Sequence, residues 1–445
     1  MNLWEKLSHQ PAIIITLSFL LIIITGSILL TLPFSSKNGS SVPYIDAYFT
    51  ANSATCVTGL VVRDTADTYS FFGQAIILLL IQLGGLGYMT VSTFLAILLR
   101  RKVFITHRLI VKEALSSYTI QGTVSLIRNV FFIVFTVEAI GALILFLRFL
   151  PVRGWKWALW GGIFHSVSAF CNAGFDIMGG FNSFTAYAGD WVVSMTLALL
   201  IIIGGIGFIV ISEVLDYKMN KRFTTHTKLV LLVTALLIVF GTIAILLAEY
   251  NNPSTIGPLP LHAKILSSFF QSVTPRTAGF NTVSMPGLTT MSLFLITFLM
   301  FVGASPGGTG GGIKTTTFGV IISTVISVIR GKHEVEMFRR RISNEHILKA
   351  MTITILSLGV VFAAVALVSY FQNLPLRDVI FEVVSAFGTV GLSVGITPFL
   401  CDASKIVIIS TMFIGRVGTL NLFMALTLFK IDRKIRLPKT DISIG

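Results

Sequence analysis

The sequence predicts an all-α integral membrane protein: four tandem helix–pore loop–helix units, eight transmembrane helices in all, around one pseudo-fourfold pore. Three observations lead there. Hydrophobic residues make up 54% of the 445 and charged residues only 12%, about half the charge of an ordinary soluble domain. Apolar runs recur near 11–32, 71–99, 128–150, 190–213, 226–249, 289–302 with 316–329, 347–371 and 403–429, giving eight candidate spans for a hydrocarbon core of about 30 Å. Between the members of each pair lies a shorter, half-polar stretch, and the four stretches are alike.

The first run begins at Pro11 without a small-residue cleavage site, so it reads as a spanning helix rather than a removed signal peptide. The net charge of +14 is unevenly spread. Lys and Arg gather near Lys6 and in 100–128, 213–228, 330–349 and the tail from 430, while the intervening loops are poor in them. This positive-inside bias puts both termini and three connecting loops on the cytoplasmic side of the cell membrane. The basicity therefore reports orientation in membrane lipid, not a nucleic-acid partner. Cys56, Cys171 and Cys401 give neither a disulfide framework nor metal-ligand spacing, and no cofactor is expected in the chain.

The repeated stretches are FTANSATCVTGL, FHSVSAFCNAGF, FQSVTPRTAGF and FEVVSAFGTVGL. Each opens on Phe, carries a midway Ser53, Ser168, Thr274 or Ser385, and reaches Gly59, Gly174, Gly279 or Gly391. A second landmark follows in step: GGLG from Gly84, GGIG from Gly204, GASP from Gly303 and GRVG from Gly415. Two landmarks recurring together make an internal repeat rather than scattered packing glycines. The units run 1–100, 101–215, 216–345 and 346–430, with a cytoplasmic tail 431–445. The short stretches, such as Tyr44–Ala54, cover only half a bilayer at 1.5 Å per residue, so they must dip in and return.

A dehydrated monovalent cation needs oxygens that replace its water shell, and rings of backbone carbonyls supply them. Turning successive carbonyls inward takes backbone angles that Gly adopts freely. The candidate filter residues are therefore Val57, Thr58 and Gly59, Asn172, Ala173 and Gly174, Thr277, Ala278 and Gly279, and Thr389, Val390 and Gly391. None is acidic, so selectivity falls to the backbone. The negative ends of the half-helices suit a cation at the same place.

One segment stands apart. GASPGGTGGGIKTTT, from Gly303, is a polar, helix-breaking loop inside an apolar stretch. It is no phosphate-binding P-loop, because Ile313 separates Gly312 from Lys314 and no strand precedes it. Gly303, Gly307, Gly308, Gly310, Gly311, Gly312, Lys314 and Arg416 form a candidate gate. The alternative for the loop, spanning 303–314, is a static kink held by its neighbours. Lys314 either binds nearby carbonyls or marks the loop's cytoplasmic end, and Arg276 braces a filter loop from behind. Arg416, a cation at bilayer depth, lines the pore or pairs with an acid such as Glu138 or Glu382.

Four such units, with the break in the third and an Arg in the last helix, resemble the Trk/Ktr/HKT superfamily of cation transporters over nearly the whole chain. The size is most similar to the membrane subunit of a bacterial Ktr potassium-uptake system. The resemblance implies potassium as substrate, a filter with one Gly per loop, a gate at the broken helix and a barrier at the Arg. Serine at the first Gly goes with sodium preference in the plant branch; this chain has Gly59. It further implies a homodimer and a cytoplasmic ring of nucleotide-binding regulatory subunits, for which 100–128 and 330–349 are candidate docking surfaces. Symport with sodium is left open. The rival is a carrier with alternating access, which calls for inverted repeats, whereas all four copies share one orientation. An enzyme has no candidate here: the spans hold no Asp pair, no H-E-x-x-H and no G-x-S-x-G.

Overall fold

Uninterrupted runs of Ile, Leu, Val and Phe leave the backbone no partner in a membrane but itself, so they form helices. The computed structural model describes residues 11–87, 123–217, 221–332 and 334–426. Within it each unit opens on a long helix: α1 (Pro11–Thr31), α4 (Thr123–Arg153), α8 (Thr225–Glu249) and α12 (Asn344–Phe371). Among the described residues these are the four helices long and apolar enough to cross a membrane. They form the outer layer: only 17% of the α12 span and 39% of the α8 span is buried.

Each is followed by a half-helix, α2 (Tyr44–Thr55), α5 (Trp155–Phe170), α9 (Leu261–Val273) and α13 (Leu376–Gly388). These pack on their own opening helices and are buried despite carrying Thr50, Asn52, Ser168, Ser272 and Ser385. The usual arrangement is inverted, with polar side chains inside and Leu147, Leu247, Phe294 and Tyr370 facing outward.

The second helices correct the sequence reading. The expected continuous spans 190–213 and 403–429 are broken, into α6 (Trp191–Ile206) and α7 (Phe208–Leu215), and into α14 (Asp402–Val417) and α15 (Thr419–Leu426). The first pair bends by 101°. The breaks fall at Gly207 and Gly418, and α3 (Phe71–Leu86) stops at Gly87. All three glycines have positive φ, between 79° and 94°, which ends a right-handed helix. In the third unit α10 (Thr290–Phe301) and α11 (Thr315–Ile329) are separated by the Gly-rich loop, as expected. The remainder of the 71–99 run, the basic segment up to 122 and the tail 431–445 lie outside the described residues.

The units close on one another. The second helix of each packs on the half-helix of the next: α3 on α5, α6 on α9, α10 on α13, and α14 back on α2. At the last seam Asp46 of α2 accepts from Lys405 Nζ of α14 at 2.8 Å and from Arg63 Nε at 2.6 Å. A small antiparallel hairpin, β1 (Glu336–Met337) with β2 (Arg340–Arg341), joins α11 to α12.

Candidate functional site

Each half-helix ends at its Gly loop, and the midway hydroxyl of the repeat explains why the loop holds its shape. Ser53 Oγ accepts from Gly59 N–H and Ser385 Oγ from Gly391 N–H, both at 3.1 Å. In the other two units the hydroxyl donates instead, Ser168 to the Phe175 carbonyl at 2.7 Å and Thr274 to the Phe280 carbonyl at 2.6 Å. The next backbone bond repeats fourfold: Thr58 N–H to Ser53 O, Ala173 to Ser168, Ala278 to Thr274 and Val390 to Ser385, between 2.7 and 2.9 Å.

The backbone angles repeat as well. Gly59, Gly174, Gly279 and Gly391 all have φ between 68° and 93°. Two residues earlier, Val57, Asn172, Thr277 and Thr389 also sit at positive φ, between 50° and 70°. For Val and Thr this conformation is strained, and sequence reasoning, which looked to Gly alone, missed it. The surrounding bonds fix the strain in place, as is common at functional sites.

The four glycines form a closed ring. A side chain on Gly59 would meet the Ala173 carbonyl and Gly174; one on Gly174 would meet the Ala278 carbonyl and Gly279. One on Gly279 would meet the Val390 carbonyl and Gly391, and one on Gly391 the Thr58 carbonyl and Gly59. The carbonyls expected to hold a cation are thus the ones that crowd the neighbouring unit's Gly. All four glycines also line one outer cavity of about 640 Å³, together with Asp64 and Asp176. The second landmark has a packing reason: a Cβ at Gly84, Gly204 or Gly415 would run into the carbonyl of Thr55, Phe170 or Phe387, at the end of its own half-helix.

The Gly-rich loop lies against this ring from the other side. A side chain on Gly310 would strike Thr277 Oγ1, and one on Gly311 would strike Thr389 Oγ1. Gly303 N–H donates to the Ile313 carbonyl at 2.8 Å, pinching the loop's two ends together. Ser305 N–H and Thr309 N–H donate to the Gly205 and Gly204 carbonyls at 2.9 and 3.1 Å, and Phe208 N–H to the Gly307 carbonyl at 3.0 Å. Gly311 N–H donates to Thr389 Oγ1 at 2.9 Å. The broken second helix of unit two thereby supplies the docking edge for the loop of unit three. Gly308 and Gly312 are half-buried members of the same loop.

The odd charges find carbonyls. Lys314 Nζ donates to the Gly310 carbonyl at 2.7 Å, the first of its two expected roles. Arg416 donates to the Thr309 carbonyl through Nη1 and to the Gly84 carbonyl through Nη2, with Gly85 at 3.3 Å. Among the described residues it meets no carboxylate, so the ion pair with Glu138 or Glu382 is not formed. Glu138 accepts instead from Gln82 at 3.2 Å and Glu382 from Ser393 at 2.6 Å. Arg276 is buried in the third Gly loop, where its backbone carbonyl accepts from the Asn172 amide at 3.2 Å. That amide also reaches Thr277 Oγ1 at 3.1 Å, a brace between units two and three that no repeat pattern announced.

Below the loop a second cavity of about 830 Å³ is lined by Gly312, Lys314 and Arg416. The molecule thus has an outer cavity and an inner one, separated by a ring of carbonyls and a loop pressed against it. What the arrangement offers is a path and an obstruction.

The sequence profile of the TrkH family, described as a cation transport protein, matches residues 4–434. The chain is 40% identical to the Ktr system potassium uptake protein B of Bacillus subtilis (strain 168), over 98% of this chain and 97% of that protein. It is 38% identical to the potassium/sodium uptake protein NtpJ of Enterococcus hirae, over 98% and 97% of the two chains. In fold it is similar to the crystal structure of the potassium transporter TrkH from Vibrio parahaemolyticus, with a TM-score of 0.69, covering 92% of this chain and 84% of that one at 18% identity. The protein is a multi-pass membrane transporter of cations and not an enzyme, and it belongs to the TrkH cation transport protein family.

Proposed function

We propose that the chain takes up potassium through the ring of Gly loops, with the loop 303–314 and Arg416 as its gate. The observation that carries this is the cyclic contact of Gly59, Gly174, Gly279 and Gly391, each against a carbonyl of the next unit. A ring of carbonyls from residues that carry no carboxylate themselves suits a dehydrated monovalent cation. The half-helices Tyr44–Thr55, Trp155–Phe170, Leu261–Val273 and Leu376–Gly388 aim their negative ends at it. Potassium as the cargo is supported by the names of the Ktr relatives. Sodium is a second candidate ion, because one relative is a potassium/sodium uptake protein.

Both termini lie in the cytoplasm in this reading. The membrane subunit works as a homodimer with a separate nucleotide-binding ring, an arrangement in keeping with relatives named as parts of a Ktr system. The test of the ring is Gly59→Ser. Its φ of 93° and the adjoining Ala173 carbonyl leave no strain-free place for a side chain. Potassium preference over sodium, from competitive tracer uptake in vesicles, should fall roughly tenfold, the worth of about 1.4 kcal/mol. An unchanged ratio would rule the ring out as the filter.

A further inference from the structure

The inner cavity has a property that a cation path does not need. Its walls carry Lys314 and Arg416 at the half-buried end and Arg340, Arg341 and Lys349 at the exposed end. No Asp or Glu occurs among the described residues lining it. Arg341 is paired with Glu334 at 2.7 Å, whereas Arg340 and Lys349 make no ion pair among the described residues.

Helix ends add to the same sign. The N-termini of α11, α12 and α15 all reach this cavity, through Thr316 and Thr317, Ser343 and His346, and Thr419 and Leu420. Neither the Lys314 side chain nor that of Ser343, the residues capping α11 and α12, bonds to its helix's first turn. Each N-terminus is worth about half a positive charge. Fixed cations and three helix N-termini converging on one space, with no acid to balance them, make an anion site.

The other wall identifies the anion. The helix α11 packs between α8 and α12, and the cavity runs along all three, past Leu229, Val320 and Ile353. An apolar crevice between apolar helices that ends in basic side chains fits an amphiphile whose charged end is a phosphodiester. A soluble phosphate would use the cations and waste the apolar wall.

We propose that the cavity bounded by α8, α11, α12 and the β1–β2 hairpin binds the headgroup of an anionic phospholipid, its phosphate between Arg340 and Lys349. A bound headgroup offsets positive charge at the exposed mouth of the cavity below the loop, so it raises the flux of cations leaving the ring. Only that second consequence rests on the transport reading; binding can be measured without it.

The full chain in neutral detergent is titrated with short-chain phosphatidylglycerol, short-chain phosphatidylcholine and inorganic phosphate, and bound ligand is counted by native mass spectrometry. Phosphatidylglycerol should bind in preference to both. The double variant Arg340→Gln/Lys349→Gln should weaken it by about tenfold or more, given the worth of each basic side chain near a lipid surface. The charge-keeping pair Arg340→Lys/Lys349→Arg should retain binding, which separates loss of the site from loss of the fold. Equal binding of phosphatidylcholine, or of phosphatidylglycerol by the Gln variant, overturns the site. Tight binding of inorganic phosphate without preference for the lipid overturns the lipid as its source. In vesicles of phosphatidylcholine, added phosphatidylglycerol should raise tracer flux through the parent more than through the Gln variant. An equal response in both overturns the coupling to flux, and leaves the assignment of the Gly ring untouched.

Discussion

Gly391 shows how one residue type is dictated by a neighbour in another unit. Its φ is 92°, and a side chain there would collide with the Thr58 carbonyl and Gly59. This much follows from the sequence, because four glycines in register ask for a shared backbone reason. The serines two turns upstream were visible only as a recurring mark, and their task emerged from geometry. The Oγ of the buried Ser385 is the acceptor for Gly391 N–H. Ser385→Ala should leave that N–H unpaired at a cost of about 1–3 kcal/mol. The fourth loop should loosen, and potassium preference should drop while the protein still inserts and transports. Ser385→Thr, which keeps the hydroxyl, should hold both stability and preference closer to the parent. Competitive uptake and a detergent melting curve measured together decide it. If Ser385→Ala matches the parent in both, the hydroxyl bond does not hold the loop.

At the scale of elements, the broken helices repay comparison with the sequence. Apolar runs at 190–213 and 403–429 look continuous because a single Gly hardly lowers local hydrophobicity. Yet Gly207 and Gly418, at positive φ, break both helices, and the edge exposed at the first of these breaks is where the loop 303–314 docks. Only the third break was legible, since it contains Pro306 and six glycines. The role of Arg416 follows from that docking. It ties the Thr309 carbonyl of the loop to Gly84 of the first unit, and a charge-assisted bond is worth about 1.5–3 kcal/mol. Arg416→Ala should therefore release the loop and remove a positive charge beneath the ring. Initial uptake per unit protein should rise roughly tenfold or more. Arg416→Lys keeps the charge but cannot reach two carbonyls in the same way, and should fall between. A loop shortened between Gly307 and Gly311 should raise uptake as well. If neither change alters the rate, the loop and Arg416 are packing elements.

Among the described residues the helices of the four units close into a ring, sealed between the last and the first by Asp46 and Lys405. All four units contribute to the seam in the same sense, with each second helix on the next half-helix. That arrangement favours one central path over the two facing halves of an alternating-access carrier. It also leaves little room for control. The internal segments joining one unit to the next, such as 330–343 between α11 and α12, are a few tens of residues at most. A nucleotide-binding domain takes about 100 residues, so none of these segments can fold into one. Under the proposed reading, a potassium path gated by a loop needs a signal to move the loop. Two relatives carry the word system in their names, Ktr system potassium uptake proteins B and D. The protein, extracted from its native membranes in mild detergent, should therefore co-elute with a soluble chain that binds adenine nucleotide. Adding ATP to native membranes should change tracer uptake, and stripping the soluble chain should abolish that response without abolishing basal uptake. A preparation that elutes alone and transports at one rate with or without nucleotide would mean that the loop answers to something in this chain or its lipid.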